Sequence, residues 1–217
     1  MTFKTDLCDL LGIEYPILQS GMGSAAGSNL VAEVSKAGGL GILGGVGIPP
    51  EELRKRIREV RAATTKPFGL NLWLHTELSP PVDMGTVSDA TVRTIQSTLN
   101  RFRERLAIPT THERPPAAPD YIGAAFEVML EERVPVWSIG LGNPGADMVR
   151  RCHERGVTIV AMVATVDDAR AVAASGVDVV VAQGGEAGGH RSTWVKGATP
   201  DAANVGAITL VPQIVDA

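Results

Sequence analysis

Cysteine is nearly absent. The 217 residues hold two, Cys8 and Cys152, far apart and without a CxxC or Cys/His ligand spacing. That argues against a disulfide framework and a zinc site, so no metal is expected, and it fits a reducing cytoplasm. Aromatic residues make up only 4%, which disfavours a base-stacking surface for nucleic acid. Basic excess is missing too: 20 Lys and Arg against 24 Asp and Glu leave a formal net charge of -4. Nucleic acid and anionic membranes both need a basic surface, so neither is an expected partner. No apolar run approaches the roughly 20 residues of a membrane span. The opening "MTFKTDLCDLLGIEYP" carries acidic residues early and lacks a continuous apolar core, so it does not read as a signal peptide. What is present, 44% hydrophobic and 20% charged residues, is the composition of a soluble globular domain with a core to bury.

Short apolar runs alternate with amphipathic segments along the chain. "YPILQS", "LGILGG", "FGLNLWL", "VPVWSIG", "VTIVAMVA" and "VDVVVAQ" read as six strands. Between them lie helical segments: "SNLVAEVSKAG", stopped by Gly38; "EELRKRIREVRAAT", with acids first and bases later; a stretch around 88–106; "YIGAAFEVMLEER", with a cap at or near Asp120; "PGADMVRRCHERG"; and "TVDDARAVAASG", from a Thr cap to Gly176. The strands are continuous Val/Ile/Leu runs, as expected when helices cover both sheet faces. Strand–helix alternation selects an α/β fold with parallel strands. A barrel of eight units needs about 250 residues. The expectation is therefore a (β/α)8 TIM-barrel type domain over 1–217, short of its seventh and eighth strands, ending inside a seventh element, "VGAITLVPQIVDA". Residues 75–120, polar and proline-bearing, read as an inserted loop and helix.

Glycine is plentiful, and it clusters after strands: "QSGMGSAAG", "GGVG", "GLGNPG" and "QGGEAGGHR". In parallel α/β folds that edge binds ligands, because strand ends and helix amino termini converge there. Glycine lets a ligand approach bare main chain. "GMGSAAG" alone departs from GxGxxG and is a tight turn by itself. Asn71 is an amide inside an apolar strand, so if buried it must be hydrogen-bonded, to the protein or to a ligand. Gln183 has the same two readings. Glu186 reads as solvated; His75, His112 and His153 read as ordinary loop or surface histidines. His190 differs, standing beyond a strand end behind paired glycines and beside Arg191.

"PILQSGMGSAAGSNLVAEVSKAGGLGILGG", "KPFGLNLWL", "VPVWSIG" and "VVVAQGGEAGGHRS", in this order and spacing, resemble the nitronate monooxygenase (2-nitropropane dioxygenase) family. The resemblance implies a (β/α)8 barrel holding FMN at the carboxyl end. It implies that Gln19, Gly21 and Met22 line the flavin, that Asn71 and Gln183 hydrogen-bond it, that Gly188 lets its phosphate-bearing chain pass, and that His190 is the catalytic base. The implied reaction oxidises alkyl nitronates or nitroalkanes with dioxygen to a carbonyl compound and nitrite. Arg191 would attract the anionic nitronate or be solvated. Relatives on the same scaffold reduce enoyl thioesters or quinones with NAD(P)H, and a fragment without turnover is the remaining alternative. Because the family places FMN-phosphate contacts after strands seven and eight, FMN retention by these residues is expected to be weak unless self-association covers the open sheet edge.

Overall fold

Six parallel strands hydrogen-bond in chain order, β1 (Leu18–Gln19), β2 (Leu40–Gly44), β3 (Phe68–Trp73), β4 (Val136–Gly140), β5 (Thr158–Val163) and β6 (Val179–Ala182). The computed structural model describes residues 3–74, 83–117, 119–194 and 203–217. Helices α2 (Ser28–Lys36), α3 (Pro50–Ala63), α5 (Ile122–Glu131), α6 (Gly145–His153) and α7 (Val166–Ala174) connect successive strands, and α8 (Ala207–Val215) follows β6. Each crossover returns the chain to a parallel neighbour, which is the (β/α)8-barrel topology in six units. The chain divides into two compact units, Met1–Leu78 with Tyr121–Ala217, and Ser79–Asp120.

Local chemistry sets the helix ends. Thr165 caps α7 by accepting from the Asp168 amide at 3.1 Å. Gly38 and Gly176 follow α2 and α7 with φ of +92° and +91°, the region where glycine escapes the Cβ penalty. α5 starts after Tyr121, whose own side chain makes no cap hydrogen bond, one residue past Asp120, at or near which the cap was expected. The first strand is only two residues long. The closing stretch is helix α8, whose Leu210 is buried.

Strand residues alternate between two cores. On the helix-covered side lie Leu43, Leu70, Leu72, Trp137, Ile139, Ile159, Ala161 and Val163, packed with Phe126 and Met129 of α5. The opposite, inner face carries Leu40, Ile42, Val136 and Val160, closed by Cys8 and Leu11 of a short helix that the sequence did not announce, α1 (Asp6–Leu11). Both cysteines are buried free thiols, and burial pushes Cys152 up to about 12, as expected for an inert core thiol. α2 sits so close to β2 that a Cβ on Gly41 would overlap the Val31 carbonyl oxygen and stand 2.7 Å from its Cα.

The unit Ser79–Asp120 is built on α4 (Asp89–Arg105), capped by Ser88. Its Gln96 and Asn100 amides donate to the Glu113 and Thr111 carbonyls at 2.7 and 2.9 Å, tying down the returning chain. Arg114 reaches back to Asp89 and to the Met84 and Val87 carbonyls. His75 lies outside the described residues. No helix among the described residues is long and apolar enough to cross a membrane. No group of three or more His, Cys, Asp or Glu among them is placed to hold a metal.

Candidate functional site

The inner face changes character along the strands. At their amino ends it is Leu40, Ile42, Val136 and Val160. Two residues on, strand alternation places Gly44, Asn71, Ser138 and Met162 on the same face, followed by Trp73 and Gly140 at the rim. The carboxyl rim is therefore small or polar where the amino end is apolar, and it is the rim that can receive a ligand.

Asn71 is 7% exposed. Its Nδ2 donates to the Ser138 carbonyl at 3.1 Å and lies 3.2 Å from Ser138 Oγ, so the structural reading of this amide holds. Its Oδ1 makes no hydrogen bond among the described residues, which leaves an acceptor over for a ligand. Gly21 presses on the same side chain: a Cβ there would lie 2.5 Å from Asn71 Cβ. Gln19 completes the β1–β2 ladder with its side chain, since Nε2 donates to the Ile42 carbonyl at 3.1 Å and Oε1 accepts from the Ile42 amide at 3.3 Å. That amide is thus engaged within the sheet. Met22 is half exposed and starts the 3-10 turn Gly23–Ala25.

Gln183, 6% exposed, brackets the loop after β6. Nε2 donates to the His190 carbonyl at 2.8 Å, and Oε1 accepts from the Ser192 amide at 2.7 Å. Arg191 folds inward and donates to the carbonyls of Gln183, Gly184 and Gly185 at 3.3, 2.7 and 3.0 Å. The guanidinium thus closes its own loop. Ser192 joins three strand ends: its Oγ donates to the Met162 carbonyl at 2.7 Å and accepts from the Leu141 amide at 3.0 Å.

The glycines of "QGGEAGGHR" divide into two pairs. A Cβ on Gly184 would overlap Glu186 and lie 2.6 Å from the Ala207 amide; one on Gly185 would overlap Asn204. These two make room for the chain's own return into α8. Gly188 and Gly189 have nothing among the described residues within 4 Å of an added Cβ, and Gly189 takes φ +85°; they leave the backbone open to those residues. Glu186 is exposed, as its solvated reading expected, and it also accepts from the Ala207 amide at the start of α8 at 3.0 Å. Its own backbone amide first, and the Ala207 amide second, hold its carboxyl below the ordinary value of 4.5. A depressed folded value means the cap contributes fully above 4.5 and is lost as pH falls through the folded value. Hydrogen exchange at Ala207 should accelerate below about pH 4.5 beyond the intrinsic trend, and Glu186→Gln should remove that extra dependence.

His190 is exposed and lies against the indole of Trp73, ring centroids 4.6 Å apart and planes tilted by 58°. The structure thus joins Gly21 to Asn71, Asn71 to Ser138, Trp73 to His190 and His190 to Gln183 in one continuous rim. Sequence reasoning missed Trp73, Ser138 and Ser192; Trp73 sat unremarked in the same strand as Asn71.

The strand order, the helix-covered outer face and the polar carboxyl rim define a (β/α)-barrel enzyme scaffold. The nitronate monooxygenase family model matches residues 4–217, and the chain belongs to that family of oxidoreductases. It is 32% identical over 216 residues to a probable nitronate monooxygenase of Staphylococcus haemolyticus, covering 100% of this chain and 58% of the relative. Among solved structures it is similar to nitroalkane oxidase from Streptomyces ansochromogenes, with TM-score 0.79, 29% identity and coverage of 98% and 58% of the two chains. It is also similar to FabK from Thermotoga maritima, with TM-score 0.69, 32% identity and coverage of 98% and 51%. The chain spans somewhat over half the length of the curated relatives it matches.

Proposed function

We propose that the carboxyl rim binds FMN and that the protein oxidises alkyl nitronates with dioxygen to a carbonyl compound and nitrite. His190 serves as the base that converts neutral nitroalkanes into nitronates. The observation that carries this is the convergence of Asn71, Gln183, Trp73 and His190 on one edge of the inner face. The residues fit a flavin: Asn71 Oδ1 accepts no hydrogen bond among the described residues, Gly21 brings the first loop onto Asn71, and Gly188 and Gly189 leave main chain that none of those residues covers. Gly21, Met22, Asn71 and Gly188 would hold it, with Gln19 and Gln183 keeping the adjoining strand and loop in place. When bound, FMN supplies acceptance of single electrons from the nitronate and their passage to dioxygen.

The remaining work belongs to the chain. An imidazole nitrogen can accept a proton from a carbon acid whose anion is spread over nitro oxygens. The carbonyl of His190 is held by Gln183, so the ring is carried by a fixed main chain. The substrate is a small molecule, with dioxygen as the second reactant. A second reading, reduction of enoyl thioesters or quinones with NAD(P)H, is favoured by the likeness to FabK.

Anaerobic mixing separates the two. The protein supplemented with FMN should lose flavin absorbance with ethylnitronate and remain unchanged with NADH or NADPH. Rapid bleaching by a nicotinamide would decide for the reductase, and the absence of any flavin perturbation by the protein would end both readings.

A further inference from the structure

The last inner-facing residue of β3 is Trp73, and its register partner at the end of β4 is Gly140. A Cβ on residue 140 would lie 3.1 Å from Trp73 Cδ1 and 3.3 Å from Nε1. The indole therefore occupies the place a side chain at 140 would take. It meets the ring of His190 at 4.6 Å between centroids, inside the range in which aromatic pairs attract. The main chain that follows that ring is already fixed. Gln183 holds the His190 carbonyl and the Ser192 amide, and Arg191 holds the loop carbonyls. An exposed histidine after two glycines keeps rotation about its own side-chain bonds, and the Trp73 indole is the ring that lies against it among the described residues.

We propose that Trp73 is a positioning residue for His190: seated against Gly140, its indole sets the direction in which the imidazole faces the substrate. The proposal rests on the reading of His190 as the base for neutral nitroalkanes. Proton transfer from carbon depends steeply on alignment, and a displacement of about 1 Å costs up to about 100-fold. Loss of the indole should therefore slow proton abstraction while sparing a substrate that arrives already deprotonated.

Two measurements test this. The chain has four histidines, so a carbon–proton correlation spectrum of the imidazole Cε1–Hε1 groups in the flavin-free protein is simple, and His190→Asn identifies the peak. The His190 peak should stand displaced upfield by the indole ring current. It should return to the ordinary position in Trp73→Leu, stay displaced in Trp73→Phe, and move partway in Gly140→Ala. An unmoved His190 peak in Trp73→Leu, with the His153 peak unchanged as a sign of intact fold, overturns the proposal. In the FMN-supplemented protein, Trp73→Leu should lower kcat on a neutral nitroalkane by up to about 100-fold, leave the preformed nitronate nearly unaffected, and be rescued by Trp73→Phe. Equal loss on both substrates, or loss on neither, also overturns it. Failure of the base reading is distinct, because then His190→Asn itself spares the neutral nitroalkane or slows both substrates equally, whereas failure of Trp73 alone leaves the selective His190→Asn defect in place.

Discussion

Replacing His190 by Asn should lower turnover of a neutral nitroalkane by about 10²- to 10⁴-fold, the usual contribution of a positioned general base. Turnover of the corresponding preformed nitronate should fall far less. Asparagine keeps a polar side chain of similar reach but cannot take up a proton near neutrality. The main-chain anchors at Gln183 and Ser192 do not involve the imidazole, so the loop should keep its course and the loss should be confined to proton transfer. The measurement is a pair of steady-state profiles at one pH, one with nitroethane and one with ethylnitronate. Equal losses on the two substrates would show that the imidazole acts in some other way, for instance in binding the anion.

The largest effect on stability is expected at Gly41. Val31 of α2 lies directly over it, with its Cα and carbonyl carbon 2.7 and 2.8 Å from where a Cβ would stand and its carbonyl oxygen nearer still. These are backbone atoms that cannot rotate away, so α2 must lift from the sheet and open a gap over β2. Gly41→Ala should cost about 3 kcal/mol or more, at or above the upper end of overpacking changes. A contrasting substitution is available at Gly123, exposed within α5, where an added Cβ meets nothing within 4 Å. Gly123→Ala should be stabilising by about 0.5–1 kcal/mol through helix propensity and the entropy of the unfolded chain. Urea midpoints of the two variants should move in opposite directions; a neutral Gly41→Ala would mean that α2 does not seat on β2.

What could be read in the sequence was what is local. Gly38 and Gly176 end helices because a left-handed residue is needed there, and Thr165 caps because its hydroxyl meets an amide three residues on; each signal is complete within one turn. The parallel sheet was legible because continuous apolar strands admit few other arrangements. Which strand residues face inward was not, since a run buried on both sides carries no alternation, and so Trp73 and Ser138 went unremarked. Helix α1 was missed because six residues hold too little periodicity, and its two buried anchors, Cys8 and Leu11, are explained only by strands far away in the chain. The position of His190 after a strand was evident, whereas its indole neighbour, the inward turn of Arg191 and the engagement of Glu186 with α8 depend on contacts between distant or folded-back segments. The glycines after β6 were read as space for a ligand; two of the four, Gly184 and Gly185, instead lie against Glu186, Asn204 and Ala207.

That last division has a mechanical consequence. Gly184, Gly185 and Glu186 clamp the start of α8 to the very loop that carries residue 190, so the first turn of that helix and the His190 ring share one lever. A mutational scan should score Asn204 and Ala207 together with His190, because they hold the loop on which the proposed base stands.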